Sequence, residues 1–313
     1  MNPKNRRRAP RARLTFEQVR SFAAVASREH ISDAADALGL SQATVSEQVH
    51  GLERALGVDL LQRMGRGVRV TDAGRDVQQL AIPMLDSLRA IEAMADEHTA
   101  SPRGPVRLGA GHVLAAHRLA GWLGSFVADN PHADVEISLG GRGELLERLR
   151  GGAIDVVVLT GAAARHDDLE TIVLEKTELV LVVAASHPMA HDPGADRRRH
   201  RHLAHEHGSG TEVLTRGLVG EEQAADRVLE LEEGALMAAL RAGLGWTAMP
   251  RAVIDVDLAS RALVIIPHGG PTVIQRFCAV RRPGPCGHLE KLLWSHLTRF
   301  AERVAVTEGY SPA

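Results

Sequence analysis

Between Ser41 and Arg63 the chain reads SQATVSEQVHGLERALGVDLLQR, a run of short hydrogen-bonding side chains set in a helical pattern. Val45, Val49, Leu52 and Leu56 recur on one face and account for its buried side. The other side offers Gln42, Ala43, Thr44, Ser46, Glu47, Gln48 and His50. Such a face adds little to a core but suits the edges of bases. A glutamine pairs bidentately with adenine, and an alanine or threonine methyl meets the thymine methyl. Arg63, Arg66 and Arg69 follow at short range, as side chains meeting a phosphate backbone would. The chemistry on offer is recognition of duplex DNA; a solvated helix face is the alternative.

A second constellation is HGSGT, residues 207–211. Gly208 and Gly210 let the backbone come close to a ligand, while Ser209 and Thr211 bring hydroxyls to the start of a helix. The free N–H groups there favour an anion or a carboxylate. A simple N-cap with a glycine turn is the competing reading. Thr160 closes the apolar run AIDVVVL and lines a cleft by the rule that ligands sit at the carboxyl ends of strands.

Other chemistries find less support. Ser209 lacks the G-x-S-x-G elbow, no P-loop is present, and no G-x-G-x-x-G opens a helix after a strand; Gly140, Gly141 and Gly143 read as a strand-to-helix turn. Neither a catalytic residue nor a cofactor is expected. The histidines at 187, 191, 200, 202, 205 and 207 raise a metal-sensing alternative, but their spacing fits no zinc framework and RRRHRH among them reads as a solvated loop. Cys278 reads as core and Cys286 as loop, with a redox pair as the alternative.

These residues need elements to hold them. Phe16, Val19, Phe22, Ala23 and Ala26 predict a first helix; Ser32 stands as the N-cap of a short second one that Gly39 ends; Ser41 caps the third, which stops at Gly57. DLLQR and GVRVT, joined by MGRG, predict a two-stranded wing. A long helix follows from Thr71 towards His98, with Val77, Ala81, Met84, Leu88, Ile91 and Ala95 at a 3.5-residue period that favours pairing with a second copy, packing on its own domain being the alternative; Pro83 should kink it or weaken its first half. ASPRGP is a linker. Beyond it, strands such as VRLGA, VEISL, LVLVVAA, GWTAMP and FCAV alternate with helices, predicting α/β architecture with parallel sheets in two subdomains around a cleft.

Charge agrees with this division. Residues 1–71 carry 12 Lys+Arg against 7 Asp+Glu, a balance of +5, which leaves 25 against 32, or −7, for the rest of the 313-residue chain. A basic module on an acidic body suits a polyanion partner at one end only. No apolar run reaches the length of a membrane span, and no apolar segment follows the basic N-terminus, so a cytoplasmic protein is expected.

The frame AA..L..SQ..VS.Q...LE..LG..L..R with a closing T.AG, spread over residues 16–74, resembles the N-terminal domain of LysR-type transcriptional regulators. The resemblance implies a basic tail (1–13), a winged helix-turn-helix (14–71), a dimerising linker helix (72–99) and a two-lobed α/β effector domain like periplasmic binding proteins. Its first lobe would comprise 104–177 and 271–305, and its second 178–270. It further implies a homodimer or homotetramer on an interrupted inverted repeat in a promoter region, with RNA polymerase as a further partner and a small-molecule effector between the lobes. The DNA-contacting set is then Ser32, Ser41, Gln42, Ala43, Thr44, Ser46, Gln48, Arg63, Arg66 and Arg69. Gly111, His112, Val113, Thr160, Gly208, Ser209, Gly210 and Thr211 form the effector set. Two departures stand out. Glu47 and His50 occupy positions where the family often has Arg or Lys, and no hydroxyl follows VRLGA until Ser125, leaving His112 to bind an anionic group when protonated or to act as a neutral donor, with a larger or apolar effector, or none, as the alternatives to a carboxylate. Residues 1–13 read as a tail without a fixed role, an arm of Arg6, Arg7 and Arg8 on the DNA being the alternative. A regulator answering to metal or redox state, and a ligand-binding protein or enzyme without specific DNA binding, remain the competing functions.

Overall fold

The computed structural model describes residues 14–65, 67–96, 105–161, 168–192, 194–205, 207, 209–219 and 228–307. The expectations for the N-terminal tail, Arg66 and Gly208 lie outside them. The chain divides into two compact units, one of residues 1–102 with 147–154 and 284–288, the other of 103–146, 155–283 and 289–313.

In the first unit, α1 (Phe16–Arg28) opens on a capping box in which Thr15 and Gln18 satisfy each other's backbone N–H groups at 3.3 and 3.1 Å. Helix α2 (Ile31–Leu38) has His30 at its N-cap and not Ser32, which lies inside the first turn with its hydroxyl on Asp33 at 3.3 Å. The extended backbone that a cap needs falls two residues earlier, straight after the left-handed Glu29. Helix α3 (Gln42–Leu56) is capped by the Ser41 hydroxyl, 3.1 Å from the Thr44 N–H, and ends at Gly57 with φ +75°. Strands β1 (Leu61–Met64) and β2 (Gly67–Val70) pair antiparallel as a hairpin. Phe22, Val25, Ala34, Ala35, Val45, Val49, Leu52, Leu60, Val68 and Val70, with Leu61 packed against them, close one core over all five elements. Glu53 accepts from the N–H groups of Leu60 and Leu61 at 2.9 and 3.1 Å, tying the end of α3 to the root of the hairpin. Helix α4 (Asp72–Asp96) runs through Pro83 without interruption.

The second unit is built on one nine-stranded sheet, β4-β3-β5-β11-β6-β9-β7-β8, with β10 paired to β6. These are β3 (Pro105–Ala110), β4 (Asp134–Leu139), β5 (Val156–Thr160), β6 (Glu170–Ala184), β7 (His202–His205), β8 (Val228–Leu231), β9 (Trp246–Pro250), β10 (Leu263–Ile266) and β11 (Val273–Arg281). The helices are α5 (His112–His117), α6 (Leu119–Asp129), α7 (Arg142–Arg150), whose residues from 147 on belong to the first unit, α8 (Gly210–Val219), α9 (Glu233–Arg241), α10 (Asp255–Ala259) and α11 (His288–Thr307). The sheet is mixed where parallel sheets were expected. The trios β4-β3-β5 and β9-β7-β8 are parallel, but β6, β10 and β11 join antiparallel. Strand β6 explains its own apolar run. Leu179, Leu181 and Val183 enter one cluster, while Val180, Val182 and Ala184 enter another, so both faces are buried. Its first half pairs with β11 and its second half with β9 and β10. The β11 register slips between Phe277 and Cys278, leaving Leu174 as the extra residue of a bulge. Strand β7 lies in the segment read from sequence as a loop, its Leu203 fully buried.

Candidate nucleic-acid interface and effector cleft

On α3, Ala43, Glu47, His50 and Arg54 follow one another at i, i+4, i+7 and i+11, and all four are exposed. They form the middle of the solvent face, with Gln42 exposed beside them and Thr44 and Gln48 on its flank. Several of the polar side chains are already engaged within the protein. The Gln48 carbonyl oxygen accepts from the hydroxyl of buried Ser21. The Thr44 hydroxyl bonds that of Ser41 at 2.8 Å, and Ser46 lies 3.3 Å from His50 Nδ1. Strand register puts Arg69 opposite Gln62 and Arg63 opposite Val68, so the two arginines leave the hairpin on opposite faces, both exposed.

In the second unit one cleft of about 630 Å³, open solvent included, gathers Gly111, His112, Val113, Thr160, Ser209, Gly210 and Thr211. Every described residue of the expected effector set is there. Three chain segments supply them: the turn from β3 to α5, the end of β5, and the start of α8. The approach of α8 to β5 is tight. A Cβ on Gly210 would lie 2.4 Å from the Thr160 carbonyl oxygen. Ser209 caps α8 by accepting from the Glu212 N–H at 3.1 Å, and fully buried Gln275 donates to the Thr211 hydroxyl at 2.9 Å. Sequence reasoning missed Arg142, His205 and Glu232 in this wall. Arg142 opens α7 and donates to the Thr160 carbonyl at 3.1 Å; Glu232 is the exposed N-cap of α9. The signal for Arg142 was in LGGRGELLERL, a glycine turn delivering a cation to a helix start. The cleft thus carries one fixed cation, one carboxylate and the N-terminal ends of α7, α8 and α9, a setting for a small ligand bearing an anionic group.

The histidines take separate places. His205 is buried with Nε2 2.7 Å from the Ala248 carbonyl, and burial lowers its pKa. His202 stacks on Trp246 at 4.3 Å, and burial, then the neighbouring His205, push its pKa down to about 4. His187 meets His200 edge-on at 5.1 Å, and its pKa too is lowered by burial and then by that neighbour. Among the described residues, no three His, Cys, Asp or Glu side chains are grouped to hold a metal. Cys278 is buried in β11, 3.9 Å from the Gly161 carbonyl, and Cys286 is partly exposed.

A winged helix-turn-helix followed by a two-lobed α/β domain with a cleft defines a ligand-responsive DNA-binding regulator. Residues 16–75 match the family described as "Bacterial regulatory helix-turn-helix protein, lysR family", and residues 99–299 match "LysR substrate binding domain". The chain belongs to the LysR family of transcriptional regulators. Its relatives include the RuBisCO operon transcriptional regulator of Allochromatium vinosum, 27% identical over 86% of this chain and 90% of that one. The regulator PcaQ of Agrobacterium fabrum is 32% identical over 61% of each chain. Among solved structures, a full-length OxyR variant from Pseudomonas aeruginosa superposes with a TM-score of 0.72 at 19% identity, covering 92% of this chain and 98% of that one. LysG from Corynebacterium glutamicum, with bound effector Arg, gives a TM-score of 0.65 at 18% identity, covering the same shares. The relatives are transcriptional regulators rather than enzymes.

Proposed function

We propose that α3 reads base edges in the major groove through Gln42, Ala43 and Thr44, with Ser32, Ser41, Ser46, Arg63 and Arg69 on or near the phosphates. The protein acts without catalysis, in the cytoplasm, on an interrupted inverted repeat in a promoter where RNA polymerase is its further partner. Two copies pair through α4. Of the stripe expected from the sequence, Val77 packs on the core of the first unit and Ala81 is buried, so the exposed stripe is Leu80, Met84, Ile91 and Met94, 79, 41, 64 and 67% exposed, an apolar face that a second copy would cover. Two such dimers would make the tetramer. The observation that carries the sensing half is the cleft, where Arg142 and the start of α8 meet on Thr160. A small anionic effector held there, between lobes 104–177 with 271–305 and 178–270, favours one closure over another and so shifts the geometry of the paired DNA-binding domains. It does so only by the difference in its affinity for the two states.

The test has two parts. Fluorescence anisotropy of the full chain on a duplex selected from a randomised pool should give preference over scrambled DNA of at least ~10³-fold, lost in the Gln42→Ala, Thr44→Ala double variant. A thermal-shift screen of small carboxylates at fixed ionic strength should yield stabilising compounds whose effect disappears in Arg142→Ala. Equal binding to selected and scrambled duplexes sinks the DNA reading. Carboxylates that stabilise the Arg142→Ala variant as strongly as the parent sink the cleft assignment.

A further inference from the structure

We infer that Glu47 is a base-reading residue, specific for the exocyclic amino group that cytosine or adenine presents in the major groove. The inference rests on the reading of α3 as the recognition helix. Glu47 lies in the middle of the exposed face of α3, one turn beyond Ala43 and one short of His50. Among the described residues it forms no hydrogen bond or ion pair, and the first cation along the stripe is Arg54, two turns on. The neighbouring polar groups each already hold one partner within the protein, Gln48 with Ser21, Thr44 with Ser41 and Ser46 with His50, which leaves the Thr44 methyl to face a base. Among the described residues, Gln42, Glu47 and Arg54 are therefore the long polar side chains of this face still free to reach outwards, and Glu47 is the anionic one.

A carboxylate is acceptor-only, so the surface it can meet is narrow. Phosphate oxygens, guanine N7 and O6, adenine N7 and thymine O4 are all acceptors and repel it. The donors of the major groove are the amino groups at cytosine N4 and adenine N6. Next to Glu47, His50 holds Nδ1 2.7 Å from the Ser46 carbonyl, which makes that nitrogen the donor and keeps it turned into the helix. The middle of the helix face thus presents the Glu47 carboxylate, and its complement is a base that offers an amino group. A glutamate in this setting gives selectivity by penalising every base that lacks a donor, at some cost in overall affinity.

The experiment selects bound sequences from a randomised duplex pool with the full-length wild type, Glu47→Ala, Glu47→Gln and Gln42→Ala. Anisotropy then follows on the wild-type site and its single-base-pair variants. The wild type should prefer one amino-bearing base at a half-site position by roughly 10- to 100-fold, and the variants with cytosine or adenine there decide which. Glu47→Ala should flatten that position alone and raise affinity for scrambled duplex. Glu47→Gln, which can pair bidentately with adenine, should move the preference towards adenine if cytosine was the base read. A Glu47→Ala profile equal to wild type at every position overturns the inference, as does an affinity gain that is uniform over all bases. If Gln42→Ala changes the profile in that case, α3 still reads DNA and only the role of Glu47 falls. Should the wild type itself show no base preference, both readings fall together.

Discussion

Replacing Gly210 with alanine should destabilise the sensor, although the residue is helical and carries no unusual backbone angle. An added Cβ would stand 2.4 Å from the Thr160 oxygen, 2.8 Å from its carbonyl carbon and 3.0 Å from the Gly161 Cα. A carbon and a carbonyl oxygen normally meet at about 3.3–3.6 Å, so α8 or the end of β5 must retreat by about 1 Å. All three obstacles are backbone atoms, which cannot swing aside as a flexible side chain does. Overpacking of this kind costs about 1–3 kcal/mol. Gly217, in the same helix, has nothing within 4 Å of its virtual Cβ, and alanine there should stabilise by about 0.4–1 kcal/mol through the unfolded chain. The two substitutions are chemically identical and opposite in expected sign. Urea unfolding followed by tryptophan fluorescence reads the right unit, because Trp122, Trp246 and Trp294 all belong to the second one. A Gly210→Ala midpoint at or above that of the parent would refute the close-approach argument. The displaced α8 should also remove any carboxylate-induced thermal shift.

Other consequences are as direct. Gln48→Ala should leave the Ser21 hydroxyl buried without its acceptor and cost about 1–3 kcal/mol in the first unit, read by far-ultraviolet circular dichroism, while base preference stays unchanged. The second unit should weaken in acid. His202 is held neutral with its pKa near 4 against an ordinary 6.5, so the unfolded chain binds the extra proton first; the stability present above pH 6.5 is lost as pH falls towards 4, by up to about 3 kcal/mol. His202→Phe keeps the stack on Trp246, removes a buried ring nitrogen that has no partner among the described residues, and should flatten that slope; an unchanged slope would count against burial as the cause. Ile91→Asp, on the exposed stripe of α4, should shift sedimentation towards the monomer with the melting of each unit unchanged.

Helical periodicity made the first unit legible residue by residue, because Val45, Val49 and Leu52 face inwards as their spacing requires and Ser41 and Gly57 close the helix at both ends. Ser32 misled because residue type marks a cap less reliably than backbone shape, and the turn at Glu29 sets that shape. The strands of the second unit were readable as apolar runs, but their direction was not. A run buried on both faces looks the same in a parallel or an antiparallel neighbourhood, and β6 and β11 proved antiparallel. Strand β7, four residues long with one fully buried leucine between histidines, gave no periodic signal. In the cleft, glycines and hydroxyls at strand ends pointed to the right loops. Arg142 was hidden because its role depends on β5 and α7 meeting across 18 residues of sequence. The occupation of Gln48 and Thr44 by intramolecular bonds is likewise a property of packing, invisible in a list of polar residues.

The crossing strands also limit how this sensor can be rebuilt. Strand β6 is hydrogen-bonded to β11 along its first half and to β9 and β10 along its second, and β11 itself continues on to β5. The ladder of β6 thus runs unbroken across the boundary expected at 177 and 178, so the segments on either side of it are not interchangeable cassettes. A chimaera cut between 177 and 178 would oblige strands from two parents to share one ladder, including the bulge that leaves Leu174 over. Transplanting ligand specificity between relatives should therefore carry β6 and β11 together from one parent and exchange only the loops and helix starts that border the cleft.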